Sequence, residues 1–231
     1  MFFVWRFPRW LLLVVVVAAA ILPWTWGKAF GRPPAAVDRG DIRYPRVAFA
    51  CNIDWGTQYV PQILAILKEK GIKITFFPSG RWVNGNPVEA KMLAAAGQEI
   101  GSHGYFHLHV ATLSTEANRL EMEKAAQTIE TVTGVRPTLY APPYGELSDS
   151  VLSAASSLGY TTVLWTADTI DWRPSTTPAE MVSRVLKKVG NGAIILIHPT
   201  DRTVTALPIL LRELAAKGYT VTTVSAVLGK R

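Results

Sequence analysis

Three of the four histidines in this chain fall in one short stretch, Gly101-Ser102-His103-Gly104-Tyr105-Phe106-His107-Leu108-His109, and the fourth, His198, closes the apolar run Ala193-Ile194-Ile195-Leu196-Ile197. A His-x3-His pair such as His103 and His107 lets two neutral imidazoles reach one ion, and imidazole is the commonest protein ligand for zinc. Two ligands do not make a site. Asp54 is the candidate third ligand, which would leave one position open for water, the catalytic rather than the structural pattern. The cofactor implied is a divalent metal, zinc first, which polarises a carbonyl and brings the pKa of its water to about 7. Asp54 is equally the candidate base. A backbone N–H near Tyr144 is placed to help hold an oxyanion, and His198, oriented by Asp171, is the candidate acid for a leaving amine. Trp172 and Leu196 could wall a small acyl group, with Asn52 beside them. The chemistry is hydrolysis of an amide or ester with a small acyl part. Plainer uses exist for several of these residues: Trp172 and Leu196 suit a core, and Asp171 suits a loop cap.

These groups need elements to hold them. Strand-like runs occur at residues 46–51, 73–77, 98–101, 137–141, 161–165, 193–197 and 220–223. Helical patterns lie between them at 59–70, 87–96, 114–133, 148–158, 178–189 and 207–217, with proline near several starts and glycine just past the ends. Strands alternating with helices predict a parallel α/β fold. Asn52 and Asp54, His103 and His107, Tyr144, Asp168 to Trp172, and His198 each follow a strand. In a (β/α) barrel such ends converge on one face, so a barrel is expected.

The chain has 231 residues, 49% hydrophobic and 18% charged, which suits one sizeable domain with an extension. Net charge is +7 without any Lys/Arg block, so nucleic acid is not an expected partner. A diffuse basic surface suits an anionic membrane or wall polymer. Cys51 is the single cysteine, which excludes an internal disulfide. At the N-terminus, Arg6 and Arg9 precede an apolar run at 10–22 and then Pro23-Trp24-Thr25-Trp26. This pattern reads as an export segment, favoured as an uncleaved membrane anchor over a signal cut near Ala18-Ala19-Ala20. The expected division is 1–27 signal or anchor, 28–45 linker and 46–231 domain. The domain is expected outside the cell membrane, or secreted if the signal is cut.

Six stretches resemble the successive motifs of one family: Val-Ala-Phe-Ala-Cys-Asn-Ile-Asp-Trp-Gly (47–56), Lys-Ile-Thr-Phe-Phe (73–77), Gly-Ser-His-Gly-Tyr-Phe-His (101–107), Ala-Pro-Pro-Tyr-Gly (141–145), Asp-Thr-Ile-Asp-Trp (168–172) and Ile-Leu-Ile-His (195–198). They look like those of the polysaccharide deacetylases, the NodB-homology group or carbohydrate esterase family 4, nearest to its sporulation-type branch. The resemblance implies a distorted (β/α)7 barrel, a divalent metal and removal of acetyl from N-acetylated polysaccharide such as peptidoglycan. It casts His103 and His107 as metal histidines, Tyr144 as oxyanion donor, His198 as acid tuned by Asp171, and Trp172 with Leu196 as the acetate pocket.

The first motif departs from the family's Thr-Phe-Asp-Asp-Gly, whose first Asp is the base and whose second binds metal. Counted from Val47, Asn52 falls on the base and Ile53 on the ligand. Counted back from Gly56, Asp54 falls on the base and Trp55 on the ligand. The family's arginine that pairs with the base is Ala141 here, and this paired absence favours the first count. Two functions follow: an exported metal-dependent N-deacetylase with an atypical first motif, or a catalytically impaired relative that binds glycan or another wall component.

Overall fold

The computed structural model describes Phe2 and residues 35–229. Side-chain alternation along the first strand, β1 (Arg46–Ile53), sets the layering. Val47, Phe49, Cys51 and Ile53 enter an apolar layer with residues of the surrounding helices, such as Ile63, Leu67, Leu207 and Leu211. Ala48 and Ala50 face the other way, into a smaller interior cluster with Phe77, Leu139, Val163 and Ile194. Both faces of β1 are buried, as expected of a parallel strand covered by helices. Asn52 continues the interior row and is buried, while Ile53 is fully enclosed in the helix-side layer.

Pairing arranges the other strands, β2 (Thr75–Pro78), β3 (Glu99–Ile100), β4 (Leu139–Tyr140), β5 (Thr161–Thr162), β6 (Ala167–Asp168), β7 (Ile194–Ile197) and β8 (Thr220–Thr222). Ala50 pairs with both β2 and β7, so these strands lie on opposite edges of β1. Ala48 pairs with both β7 and β8, so β8 shares the β2 edge, lower down. The order β3-β2-β1-β7-β6 is parallel throughout, and β4-β5 form a separate parallel pair. A bridge from Ser102 to Tyr140 joins β3 to β4. On the far side, residues 37–39 join β5 to β7, through Val37 to Val163 and Arg39 to Ala193. The expected barrel is thus a ring of parallel strands completed by single bridges.

That strap falls in the stretch expected as linker. From residue 35 it is part of the folded body: Gly40 N–H donates to Gly192 O at 2.8 Å and Asp41 N–H to Val227 O at 2.9 Å. The expected signal or anchor at 1–27 lies outside the described residues, Phe2 excepted. No helix among the described residues is long and apolar enough to cross a membrane.

The main helices are α1 (Val60–Glu69), α2 (Gly80–Gly85), α3 (Pro87–Ala95), α4 (Thr115–Thr133), α5 (Asp149–Ser157), α6 (Pro178–Lys188), α7 (Asp201–Ala216) and α8 (Val224–Val227). Several begin as their sequence dictates. Ser114 caps α4 by accepting from Ala117 N–H at 3.1 Å, and Thr177 with Glu180 forms a capping box on α6. Four differences from the sequence expectation bear on the site. Helix α2, bracketed by glycines, was not expected. Strand β5 is shorter than expected, ending at Thr162, and Val163 beyond it bridges to Val37 of the strap. Strand β6 forms where a polar loop was expected. Helix α7 starts six residues before the expected 207, because Thr200 caps it by accepting from Thr203 N–H at 2.9 Å. Pro208 is tolerated within α7 because it lies on the exposed face, where water can serve the carbonyl its ring leaves unbonded.

The strap gives a direct stability prediction. A Cβ on Gly40 would lie 2.3 Å from the backbone oxygen of Val227, so the strap or α8 must shift. Gly40→Ala is expected to lower unfolding free energy by about 1–3 kcal/mol in urea melts. An unchanged midpoint would show that residues 35–41 do not stabilise the ring.

Candidate active site

The carboxyl ends of the strands open into one cavity of about 380 Å³, lined by Asn52, Asp54, Trp55, His107, Tyr144, Trp165, Asp168, Trp172, Leu196 and His198. Of the residues singled out in the sequence, only His103 and Asp171 are absent from this lining. Both are buried directly behind residues that belong to it.

On the acid side, Asp171 is fully buried and meets donors from two elements. One oxygen accepts from His198 Nδ1–H at 2.7 Å, and the other accepts from the His198 backbone N–H at 2.5 Å and from Thr203 Oγ1–H at 2.6 Å. Its backbone oxygen accepts from Arg202 Nη2–H at 2.9 Å. A buried carboxylate holds its charge only when satisfied in this way. Binding at Nδ1 fixes the imidazole and leaves Nε2 as its free nitrogen. The ring stacks on Trp55, with centroids 5.9 Å apart and planes within 8°. Gly56, at φ 77, makes this possible: a Cβ there would sit 2.0 Å from the Pro199 oxygen.

On the opposite side, His103 and His107 come together edge to face, with centroids 4.9 Å apart. His103 Nδ1–H donates to Ala141 O at 2.6 Å, which leaves Nε2 as its lone-pair nitrogen. Burial, with His107 adding to it, pushes the His103 imidazolium down to about 3. His107 is lowered as well, by burial first, although Asp54 opposes the shift. Both rings are therefore neutral at ordinary pH. Their loop is pinned from α4 by Glu121, which accepts from the backbone N–H groups of Tyr105 (3.0 Å) and Phe106. His107 (φ 57), Tyr144 (φ 58) and Ile170 (φ 56) all hold left-handed backbone without being glycine. Such strain gathers where a site over-determines its geometry. Tyr144 sits against His107 (4.6 Å) and stacks on His109 (4.3 Å), which Glu146 anchors through Nδ1 at 2.7 Å.

Asp54 is where the expected metal site departs from expectation. Its Oδ1 accepts from Ser79 Oγ–H at 2.6 Å and Arg81 Nε–H at 2.7 Å, while its Oδ2 accepts from Arg81 Nη2–H. Burial alone would raise its pKa, but the Arg81 and Ser79 hydrogen bonds outweigh that and hold the carboxyl below its usual range. Asn52 is buried, and its Oδ1 has no hydrogen-bond partner. Ile53 is enclosed on the helix side. Among the described residues, no group of three His, Cys, Asp or Glu side chains converges to hold a metal ion. The proposed set of His103, His107 and Asp54 is thus two imidazoles of suitable tautomer and one carboxylate already committed to a guanidinium. As arranged, these residues do not fit a three-ligand zinc.

The family model of the polysaccharide deacetylases matches residues 43–163. The chain belongs to the polysaccharide deacetylase family. A peptidoglycan-N-acetylglucosamine deacetylase of Bacillus cereus is 35% identical over 176 residues, 74% of this chain and 82% of that protein. YlxY of Bacillus subtilis is 39% identical over 195 residues, 84% of this chain, and the match spans 61% of the YlxY length. Among solved structures, BA3943 of Bacillus anthracis, described as a CE4 family pseudoenzyme, superposes with a TM-score of 0.82 at 39% identity, covering 84% of this chain and 69% of that one. A mutant of BA3943 is described as having restored enzymatic activity.

In this member of the polysaccharide deacetylase family, the sequence pointed to the histidines, the acid pair, Trp172 and Leu196, but not to Trp165, Ser79, Arg81, Glu121 or Thr203. Ser79 and Arg81 could have been found, because they follow β2 just as the other site residues follow their strands. Glu121 and Thr203 are single polar residues on helical faces, and nothing local marks them.

Removing the guanidinium should release Asp54. In Arg81→Gln, zinc affinity measured by calorimetry is expected to rise about tenfold or more, and the gain should vanish when His103→Ala is added. Equal zinc affinity in Arg81→Gln and the parent would show that Asp54 is not held from the metal by Arg81. The pH dependence has a defined sign. A carboxyl held below its unfolded value stabilises the fold above about pH 4, and this contribution is lost as pH falls through the folded value. Acid melts of Arg81→Gln should show a smaller loss across that window.

Proposed function

We propose that this chain binds N-acetylated wall glycan, peptidoglycan first, as a polysaccharide deacetylase-fold protein whose hydrolytic half-site is disabled. One observation carries this reading: both oxygens of Asp54 are taken up by Arg81 and Ser79, while Asn52 and Ile53 supply no carboxylate. What a glycan needs is in place. Trp55, Trp165, Trp172 and Leu196 give the cavity an apolar wall against which an acetyl group and a sugar face can be buried. The unpartnered Asn52 Oδ1 is an acceptor suited to an acetamido N–H, and leaving it unmet costs about 1–3 kcal/mol. The likeness to BA3943, a described pseudoenzyme, supports the reading. The same proposal places the protein outside the cell membrane, held by the apolar run after Arg6 and Arg9.

A second reading, a working N-deacetylase, has its own support. The His198–Asp171 pair is fully formed, and a proton donor has no use in a pure binding protein. Moreover, Asp54 obtains from Arg81 an arginine partner of the kind the family supplies at the position of Ala141 here. In this reading Asp54 is a relocated base.

Metal content and acetate release decide between the two. The full chain would be purified without chelator, supplied with zinc, cobalt or nothing, and given N-acetylglucosamine oligomers and peptidoglycan. The expected outcome is oligomer binding without metal-dependent acetate release, with Trp172→Ala weakening that binding about tenfold. Metal-dependent acetate release that disappears in His198→Ala would overturn the binding reading and establish the deacetylase.

A further inference from the structure

A second cleft, of about 290 Å³, is lined by Arg173, Arg184, Lys187, Glu180, Thr176 and Ile170 among others. It shares a wall with the glycan cavity. Along the loop after β6, Asp168 and Trp172 line the cavity, whereas Ile170 and Arg173 line the cleft. Ile170 turns the chain between them, with left-handed backbone at φ 56 and its N–H donating to Asp168 Oδ1 at 2.7 Å. Arg184 is tied to the same loop, its Nε–H donating to Asp168 O at 3.2 Å. The Arg173 guanidinium lies 5.4 Å from the Trp172 ring.

Positive charge is in excess in this cleft. None of Arg173, Arg184 and Lys187 takes part in an ion pair among the described residues. The acid present, Glu180, accepts from Thr177 N–H at 2.7 Å and Thr177 Oγ1–H at 2.9 Å, and so is occupied in capping α6. Three cations against one carboxylate, which Arg184 helps to hold in its charged form, leave the cleft net positive, with hydroxyls of Ser175, Thr176 and Ser183 beside them. The arginine fork in particular matches a planar carboxylate.

We propose that this cleft is a subsite for a carboxylate carried by the glycan whose sugar occupies the neighbouring cavity, as on the peptide stems of peptidoglycan. The assignment rests on the glycan-binding reading above and adds to it a preference for peptide-bearing over bare glycan. Trp172 holds the sugar on one side of the loop, while Arg173, Arg184 and Lys187 meet the charged substituent on the other.

The test uses the full chain and three ligands: a neutral N-acetylglucosamine oligomer, a disaccharide-peptide fragment with free carboxyls, and the same fragment with its carboxyls amidated. At low salt the free-carboxyl fragment is expected to bind about tenfold more tightly than the amidated one, a preference that shrinks as salt rises. The double variant Arg184→Gln, Lys187→Gln should abolish the preference while neutral-oligomer affinity stays within about twofold, which also reports an intact fold; Arg184→Lys alone should retain part of it. Equal affinity for the two fragments, or a preference that survives the double variant, overturns the proposal while oligomer binding leaves the glycan reading standing. A cleft that takes inorganic phosphate yet shows no fragment preference is an anion site of another source and overturns it too. If not even the neutral oligomer binds, the glycan reading fails with it.

Discussion

Strand β1 has no face open to water, and this constraint governs the site. Its odd-numbered residues from Val47 suit the helix layer and its even-numbered residues from Ala48 the ring interior. Asn52 takes the inward place at the top of the strand and Ile53 the outward one. The carboxylate that remains, Asp54, lies past the strand end, where the chain has already bent, and the nearest strong donors there come from Ser79 and Arg81.

The site therefore has two halves in different electrostatic states. On one side, a fully buried carboxylate is met by His198 and Thr203, and the imidazole is left with one nitrogen free. On the other, two neutral imidazoles face a carboxylate whose charge is balanced from within the protein. A guanidinium is always charged and binds a carboxylate through two parallel bonds, so it can neutralise Asp54 without an ion. What it cannot do is polarise a bound carbonyl in the way of an exposed metal.

Much of this was legible in the sequence because it depended on local rules. Ser114 and Gly134 fixed the ends of α4, and the strand-end placement of His103, His107, Tyr144 and His198 foretold their convergence. What stayed hidden depended on distant partners. Pro208 masked the first turns of α7, and with them the Thr203 hydroxyl that supports Asp171. The glycines around Arg81 disguised α2, and hence the partner of Asp54. Residues 35–41 read as linker because a single paired residue such as Val37 leaves no hydrophobic period to detect.

The strap has a bearing on how the protein is assembled. Residues 37–41, the first part of the folded body, form backbone bonds to Thr162, Gly192 and Val227. A chain synthesised from its N-terminus exposes the donors and acceptors of the strap long before their partners exist. Ring closure through Arg39 must wait for Ala193, and the last bond of the strap, from Asp41, must wait for Val227, so both are long-range events. Until then the backbone of the strap stands unpaired and open to any extended segment nearby, and it is during this interval that a chaperone would have most to protect.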